Sequence, residues 1–201
     1  EILSNDVKEI VLSGINIGDF GVKQNESFNQ LLMELEKVYS LYRYRISSIE
    51  PNLINNTMIN IFKSSNKWVK HLHIPLQSGS NKILKSMKRR YNTSEYEEKI
   101  KKLKKMFPYI CIGVDVIVGF PGESDEDFNE TYNFIKKLDV SYLHVFTYSR
   151  RENTKADKFL TQVDDKVKKA RRIILQKLSK YKYENFVNKN INNVREVLFE
   201  N

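Results

Sequence analysis

The sequence predicts an α/β fold in which parallel strands alternate with helices, and two observations support this prediction. Short apolar runs alternate along the chain with longer amphipathic segments. The run over residues 111–118 is almost entirely apolar, which is typical of a parallel strand buried on both faces. No Gly-rich dinucleotide-binding loop follows any predicted strand. The remaining alternatives are a barrel of βα units and an open sheet.

Each predicted element follows from its own pattern of apolar and polar residues. Strands are predicted over residues 7–12, 44–49, 69–74, 111–118 and 142–148. Apolar residues recur at helical spacing between these strands. Helices are predicted over residues 28–39, 55–64, 81–87, 93–106 with Thr93 as a cap, 124–138 with Ser124 as a cap, and 164–188.

The composition fits one domain, or one domain and the start of a second. The chain has 201 residues, of which 40% are hydrophobic. No apolar run approaches the ~18–20 residues needed to cross a membrane. The single cysteine, Cys111, cannot form an internal disulfide and is predicted to pack in the core, so the cytoplasm is the expected compartment.

Positive charge is concentrated in two segments. Residues 81–106 contain ten Lys and Arg against three Glu, and residues 164–189 contain nine against three acids. A protein that handles an anionic polymer clusters charge in this way. The alternative interpretation is a lysine-rich chain whose charges lie on solvated helix faces.

Polar residues and glycines follow the predicted strands, where α/β proteins place their sites. Asp115 lies inside the apolar run 111–118, where a carboxylate costs several kcal/mol unless it is paired. It could accept hydrogen bonds from ribose hydroxyls, and Gln77 could donate and accept on the same sugar. Glu50 could bind an ammonium group, and Gly14 would allow close backbone approach. Together these residues predict a pocket for a nucleoside joined to an amino acid.

The histidines support a metal site only weakly. His71 and His73 share a face of one predicted strand, but no third ligand lies near them in sequence. A structural role is therefore predicted for both, and no residue is predicted to bind a metal. No partner is evident for His144.

Four segments resemble the radical-SAM methylthiotransferases, in the order in which that family has them. They are residues 9–18 (EIVLSGINIG), 45–51 (RISSIEP), 71–80 (HLHIPLQSGS) and 113–123 (GVDVIVGFPGE). The resemblance extends over essentially the whole chain. The branch acting on threonylcarbamoyladenosine in tRNA is the most similar. The branches acting on isopentenyladenosine or on a ribosomal protein are less similar.

The resemblance implies a partial TIM-like barrel that binds S-adenosylmethionine (SAM) beside a [4Fe–4S] cluster, which cleaves SAM reductively. It also implies tRNA and a reducing protein as partners, and no membrane. By position, Gly14 and Asn16 would flank the methionine part of SAM. Glu50 would contact its amino group, Gln77 and Asp115 its ribose, and Gly119 would shape the loop beside its adenine.

This sequence departs from the family because it contains no CxxxCxxC motif for the cluster. We therefore expect residues 1–190 to be a barrel without its first βα unit, ending in a basic helix, and residues 191–201 to begin a TRAM-like β-domain. Such a fragment is expected to be inactive alone, without catalytic residues of its own, and its open sheet edge favours self-association. The alternatives are another methylthiotransferase branch and a non-catalytic RNA-binding module.

Overall fold

A computed structural model describes residues 7–14, 16–38, 43–159 and 161–199, and within them parallel strands alternate with helices as predicted. The strands are β1 Glu9–Leu12, β2 Arg43–Ile46, β3 His71–His73, β4 Cys111–Val118 and β5 Tyr142–Thr147. The helices are α1 Phe28–Glu36, α2 Asn56–Ser64, α3 Asn81–Ser86, α4 Thr93–Met106, α5 Asp125–Lys137 and α6 Asp165–Asn190. The 3₁₀ turns are Ile17–Asp19, Val22–Gln24, Pro51–Leu53 and Ala156–Lys158.

The strands follow one another in space in the same order as in the chain. β1 pairs with β2, and β3, β4 and β5 form a second group in that order. The Tyr44 N–H donates to Lys67 O at 2.7 Å and the Val69 N–H to Tyr44 O at 2.9 Å, which joins the two groups. A doubly wound sheet reverses its strand order, whereas a βα barrel does not. The arrangement confirms the prediction of a partial TIM-like barrel.

Strand boundaries differ from the predictions because the chain changes hydrogen-bond partners at the strand ends. The predicted strand 44–49 ends at Ile46. The Ser47 N–H still donates to Leu12 O on β1, at 2.9 Å, but the Ile49 N–H donates to His73 O on β3, also at 2.9 Å. β1 and β3 are likewise shorter than predicted. The first helix ends at Glu36 rather than at 39, a residue that lies outside the described ranges.

Helix starts follow the expected capping chemistry, with one correction. Thr93 was expected to cap α4 but is its first residue, and Asn92 is the cap. The Asn92 side chain accepts from the Glu95 N–H, and the Glu95 carboxylate accepts from the Asn92 N–H, each at 2.9 Å. Ser124 caps α5 as predicted.

The core lies between the sheet and the helices that cover its outer face. Leu72 and Val114 on the strands and Leu32 and Ile135 on the helices are fully buried. None of the helices in the described ranges combines the length and the apolar composition that a membrane span requires. Residues 193–199 have no regular secondary structure, so the start of a β-domain there stays a prediction.

The loop after β3 is held by α5 through Asp127. This carboxylate accepts hydrogen bonds from the Ser80 hydroxyl at 2.9 Å, the Ser124 N–H at 2.9 Å and the Lys82 ammonium at 2.6 Å. Burial opposes its ionisation, but these donors outweigh burial and lower the pKa of Asp127 to about 2. The loop that carries Gln77 is thereby fixed against the helix layer.

Replacing Asp127 with asparagine is expected to lower the free energy of unfolding by about 2 kcal/mol at pH 7. Because the pKa is lower in the folded state than its ordinary value of 3.8, the stabilisation is present above that value. It is lost as the pH falls from there towards 2. Urea denaturation at several pH values should show the two proteins converging in acid. The control, Asp165→Asn at a 95% exposed side chain, should show no such convergence, and a pH-independent difference for Asp127→Asn would contradict the prediction.

Candidate functional site

The carboxyl ends of the parallel strands lie along one edge of the sheet, here called the carboxyl edge. Gly14 follows β1, Glu50 follows β2, Gln77 follows β3 and Gly119 follows β4. Asp115 lies within β4, next to Val116, whose backbone bridges to Gln77. All the strands run in the same direction, so four of the strands bring predicted site residues to this edge or near it.

Glu50 and Arg89 form an ion pair in a cleft of about 180 Å³ near this edge. The Arg89 Nη1 donates to the Glu50 Oε1 at 3.2 Å. The Nε of Arg89 is buried and has no hydrogen-bond partner among the described residues, so it keeps an unused donor. The cleft is lined by Asn16, Glu50, Asn52, Lys88, Arg89 and Arg90.

The loop after β1 brings Asn16 into this cleft, where its side-chain amide donates to the Asp19 carboxylate. Protein packing does not require a glycine at Gly14, because a Cβ there would come no closer than 3.7 Å to Ile17. The structure therefore leaves space beside Gly14 on the protein side. A bound ligand could use that space, as the sequence predicts.

Gln77 has a left-handed backbone conformation, with φ of 71°, which is uncommon for a residue other than glycine. Its N–H donates to Asp115 O at 2.8 Å, and the Ile117 N–H donates to Gln77 O at 2.9 Å. The structure thus joins Gln77 and Asp115 through their backbones. A strained residue held by its surroundings is typical of a functional site.

The Asp115 carboxylate is paired, which explains how it is tolerated inside an apolar strand. Its Oδ1 lies 2.9 Å from the Nε2 of His73, and about a quarter of its side chain remains exposed. The His73 ring stacks on the ring of His144 with 5.3 Å between centroids. This contact supplies the partner for His144 that sequence reasoning did not find.

His71 makes a local contact, and Cys111, which was predicted to pack in the core, is not among the core residues. The Nε2 of His71 lies 2.9 Å from the Tyr142 hydroxyl, so it is engaged in a hydrogen bond. Cys111 is half-buried, and burial raises the pKa of its thiol. Within the described ranges, no group of three or more His, Cys, Asp or Glu is placed to hold a metal ion.

Gly119 occupies a position that only glycine can take without strain. Its φ is +74°, and a Cβ there would lie 2.3 Å from the Lys168 side chain on α6. Its N–H donates to the Glu123 Oε1 at 3.0 Å, and Arg171 of α6 lies 2.5 Å from the same carboxylate oxygen. Burial raises the pKa of Glu123, with the Gly119 N–H and Arg171 opposing that shift. The loop after β4 is therefore locked to α6.

The predicted residues fall into three groups: Asn16 with Glu50, Gln77 with Asp115, and Gly119 on its own. The backbone connects the first two groups, because the Ile49 N–H beside Glu50 donates to the carbonyl of His73, the partner of Asp115. No side-chain hydrogen bond joins any two of the three groups among the described residues.

Two adjoining apolar cavities also open at the carboxyl edge, and sequence reasoning did not find them. They measure about 520 and 460 Å³ and share Ile117, Tyr148 and Ala156. Phe120 and Phe159 line the first, and Phe146 lines the second. The Tyr148 hydroxyl is buried without a hydrogen-bond partner in the described part of the chain. Cavities of this size accept small molecules the size of a nucleoside.

Sequence reasoning also missed Arg89 and Arg171, which it counted only as part of two basic segments. Nothing in the sequence marked their roles clearly, because an arginine among many lysines does not indicate which acidic residue it pairs with. Glu123 was easier to recognise, because it is the last residue of segment 113–123, one of the four segments that carry the resemblance, and it precedes the Ser124 cap.

The chain is similar to known proteins in both sequence and fold. The model of the radical SAM superfamily matches residues 5–135. The chain is 44% identical, over its whole length, to threonylcarbamoyladenosine tRNA methylthiotransferase MtaB of Bacillus subtilis, and covers 45% of that protein. It is 40% identical to MtaB of Aquifex aeolicus, with 91% of the chain and 45% of that protein covered.

A second group of relatives carries a different name. The tRNA-2-methylthio-N(6)-dimethylallyladenosine synthase of Clostridium botulinum strain Alaska E43 is 38% identical over 84% of the chain, which covers 37% of that protein. Among solved structures, coproporphyrinogen III oxidase (HemN) from Escherichia coli superposes on 88% of the chain and 41% of its own, with a TM-score of 0.69 at 14% identity. That likeness shows the fold alone. The chain spans less than half the length of these relatives.

Proposed function

The chain belongs to the radical SAM superfamily, and from this premise we propose that it binds SAM within an enzyme that methylthiolates threonylcarbamoyladenosine in tRNA. Proteins of this superfamily use SAM and a [4Fe–4S] cluster. The identity of 44% to a protein named for that reaction supports the proposed substrate. The proposal includes tRNA and a reducing protein as partners and the cytoplasm as compartment.

The observation that carries the proposal is the Glu50–Arg89 pair in the cleft beside Asn16. The methionine part of SAM has an ammonium and a carboxylate on one carbon. A carboxylate and a guanidinium 3.2 Å apart present the two complementary charges. The Arg89 side chain is 28% exposed, so its guanidinium can also serve the ligand's carboxylate. In this proposal Glu50 binds the ammonium, Arg89 the carboxylate, and Gly14 and Asn16 flank the chain between them.

Asp115 and Gln77 are proposed to hold the ribose of SAM. A carboxylate accepts hydrogen bonds from both hydroxyls of a ribose, and the Gln77 amide both donates and accepts. His73 occupies one oxygen of Asp115 and so fixes the orientation of the carboxylate. Ile117, two residues further along β4, lines the 460 Å³ cavity, which offers space for an adenine ring. Gly119 is proposed to shape the loop beside it.

The residues of this chain do not fit an iron–sulfur cluster. The sequence has one cysteine, and a [4Fe–4S] cluster requires several thiolates. The role of these residues in the proposed reaction is therefore to bind and orient SAM and to exclude water from it. On this basis we expect the chain to be inactive by itself.

The proposal also fits the distribution of charge. Lys166, Lys169 and Arg172 are exposed on the first half of α6, the half whose Lys168 and Arg171 contact the loop after β4. A basic surface beside the carboxyl edge can contact the phosphates of tRNA. Such a surface also fits an RNA-binding module without chemistry, and the experiment below distinguishes that alternative.

Deleting the gene that encodes this chain is expected to remove the 2-methylthio group from threonylcarbamoyladenosine in tRNA, as measured by mass spectrometry of nucleosides. The full-length gene should restore it. The Asp115→Asn variant should not, because an amide oxygen accepts hydrogen bonds from a ribose more weakly than a carboxylate. The control variant Glu98→Gln, which loses an exposed carboxylate on α4, should restore it.

Three outcomes would contradict the proposal. Unchanged methylthiolation after deletion would exclude the reaction. Loss of the group from dimethylallyladenosine instead would favour the function named for the second group of relatives. Full restoration by Asp115→Asn would separate the reaction from the proposed ribose site.

A further inference from the structure

Two lysines from different loops meet at the rim of the 520 Å³ cavity. Lys88 ends the turn after α3, and Lys155 precedes the 3₁₀ turn Ala156–Lys158. Both residues line this cavity, and the positive charge of Lys155 acts on the Lys88 ammonium. Two cations are thus brought together by segments that are far apart in the chain.

The lysine pair has no counter-charge among the described residues. No acidic side chain there forms an ion pair with either lysine, and the Glu50 carboxylate is engaged by Arg89. The contact with Lys155 lowers the pKa of Lys88, as expected for adjacent like charges. An anion between the two amino groups would turn this repulsion into two charge-assisted hydrogen bonds.

The lining of the cavity below the two lysines indicates the chemistry of the rest of the ligand. Its walls are the apolar or aromatic side chains of Ile117, Phe120, Tyr148 and Phe159, which suit a flat ring. The Tyr148 hydroxyl is buried without a partner among the described residues, and Tyr148 lines this cavity. The ligand that fits has an aromatic body and a negatively charged arm. The adjoining 460 Å³ cavity leaves separate space for the adenosyl group of SAM.

We propose that Lys88 and Lys155 bind the carboxylate of the threonylcarbamoyl group on the substrate adenosine and select that base over one with a neutral substituent. The inference rests on the function proposed above. The threonine of this group is attached through its nitrogen, so its carboxylate stays free and charged at neutral pH. A dimethylallyl group has no charge and would leave both lysines unpaired. The lysine pair therefore separates the two substrate classes of the relatives.

The test compares two anticodon stem–loop RNAs on the full-length enzyme with its clusters reconstituted. One carries threonylcarbamoyladenosine, and the other carries the methyl ester of the same group, which lacks only the negative charge. The wild-type enzyme should prefer the acid over the ester by at least about tenfold in kcat/KM. The Lys88→Gln/Lys155→Gln variant should lose this preference. The ratio is insensitive to any change in SAM binding, because such a change affects both RNAs equally.

A matched control comes from the same two segments. Lys85 and Lys158 are exposed, lie three residues from the tested lysines and do not line the cavity. The Lys85→Gln/Lys158→Gln variant removes the same charge and should retain the preference for the acid. If the cavity variant also retains it, or if wild-type enzyme shows none, the inference is wrong.

Two other outcomes distinguish a failure of this inference from a failure of the proposed function. If Lys88→Gln/Lys155→Gln lowers kcat/KM for both RNAs by the same factor, the preference for the acid is unchanged. The lysines then contact RNA phosphates, and the carboxylate assignment is overturned. If wild-type enzyme does not methylthiolate the threonylcarbamoyl RNA at all but cleaves SAM, the proposed function fails. The two failures are therefore distinguishable in one set of assays.

Discussion

Replacing Arg171 with methionine is expected to lower the free energy of unfolding by about 3–5 kcal/mol. Arg171 and Glu123 are almost fully buried, with 6% and 2% of their side chains exposed. Removing the arginine leaves the Glu123 carboxylate buried with one donor from the described residues, the Gly119 N–H. Arg171 also binds Asp125 at 2.7 Å and covers the ring of Phe128. Urea denaturation followed by circular dichroism measures the loss.

The neighbouring residue provides the control. Arg172 is exposed on the same turn of α6, and Arg172→Met should change stability by no more than about 0.5 kcal/mol. The double variant Arg171→Met/Glu123→Leu should recover much of the loss, because it removes both buried charges. Equal stabilities for the Arg171 and Arg172 variants would show that the buried pair does not hold the loop to α6.

Replacing Trp68 with alanine is expected to lower the free energy of unfolding by about 3–5 kcal/mol, since it empties a large site in the core. Trp68 is 1% exposed, stacks between Tyr44 and Phe62 with centroids 5.0 and 5.2 Å away, and donates from its indole N–H to Glu36. Its backbone bridges to Tyr44 of β2, so it lies where the two groups of strands join. Thermal and urea unfolding both measure the effect.

Two further variants test whether the loss of stability comes from the packing of Trp68 in the core rather than from the removal of any aromatic ring. Trp68→Phe keeps an aromatic ring but loses volume and the hydrogen bond to Glu36, so its loss should be smaller. Tyr183→Ala removes an aromatic side chain that is 53% exposed on α6 and should change little. Trp68→Ala should also weaken SAM binding, because the join positions Glu50 relative to Asp115. Full stability in Trp68→Ala would contradict this account.

The alternation of elements was predictable because each strand and helix has its own periodicity. The five strands and six helices of the described residues correspond one to one with predicted segments. Element ends were predicted less well. β2 ends early because its chain leaves β1 for β3, and Asn92 rather than Thr93 caps α4 because its side chain reaches Glu95. Both outcomes depend on hydrogen bonds that apolar periodicity does not encode.

The candidate site was predictable to the extent that strand ends mark it. Gly14, Glu50, Gln77, Asp115 and Gly119 lie at or beside the carboxyl edge because parallel strands end on one side. Their functional roles remain proposals. The pairing of these residues was not predictable, since Arg89 lies 39 residues from Glu50 and Arg171 lies 48 residues from Glu123. His73 was predicted to be structural, and its contact with the Asp115 carboxylate was not predictable from the sequence.

By itself the sequence determined the fold class, the order of the elements and the residues at the carboxyl edge. These depend on local patterns of apolar side chains and on the common direction of parallel strands. Only the tertiary structure decided which charges are paired, which are left without a counter-charge, and where the cavities lie. Glu50, Asp115 and Glu123 each have a cationic or histidine partner from another element, whereas Lys88 and Lys155 line one cavity together. The physical reason is that such pairings depend on the packing of segments distant in the chain, which short-range periodicity does not specify.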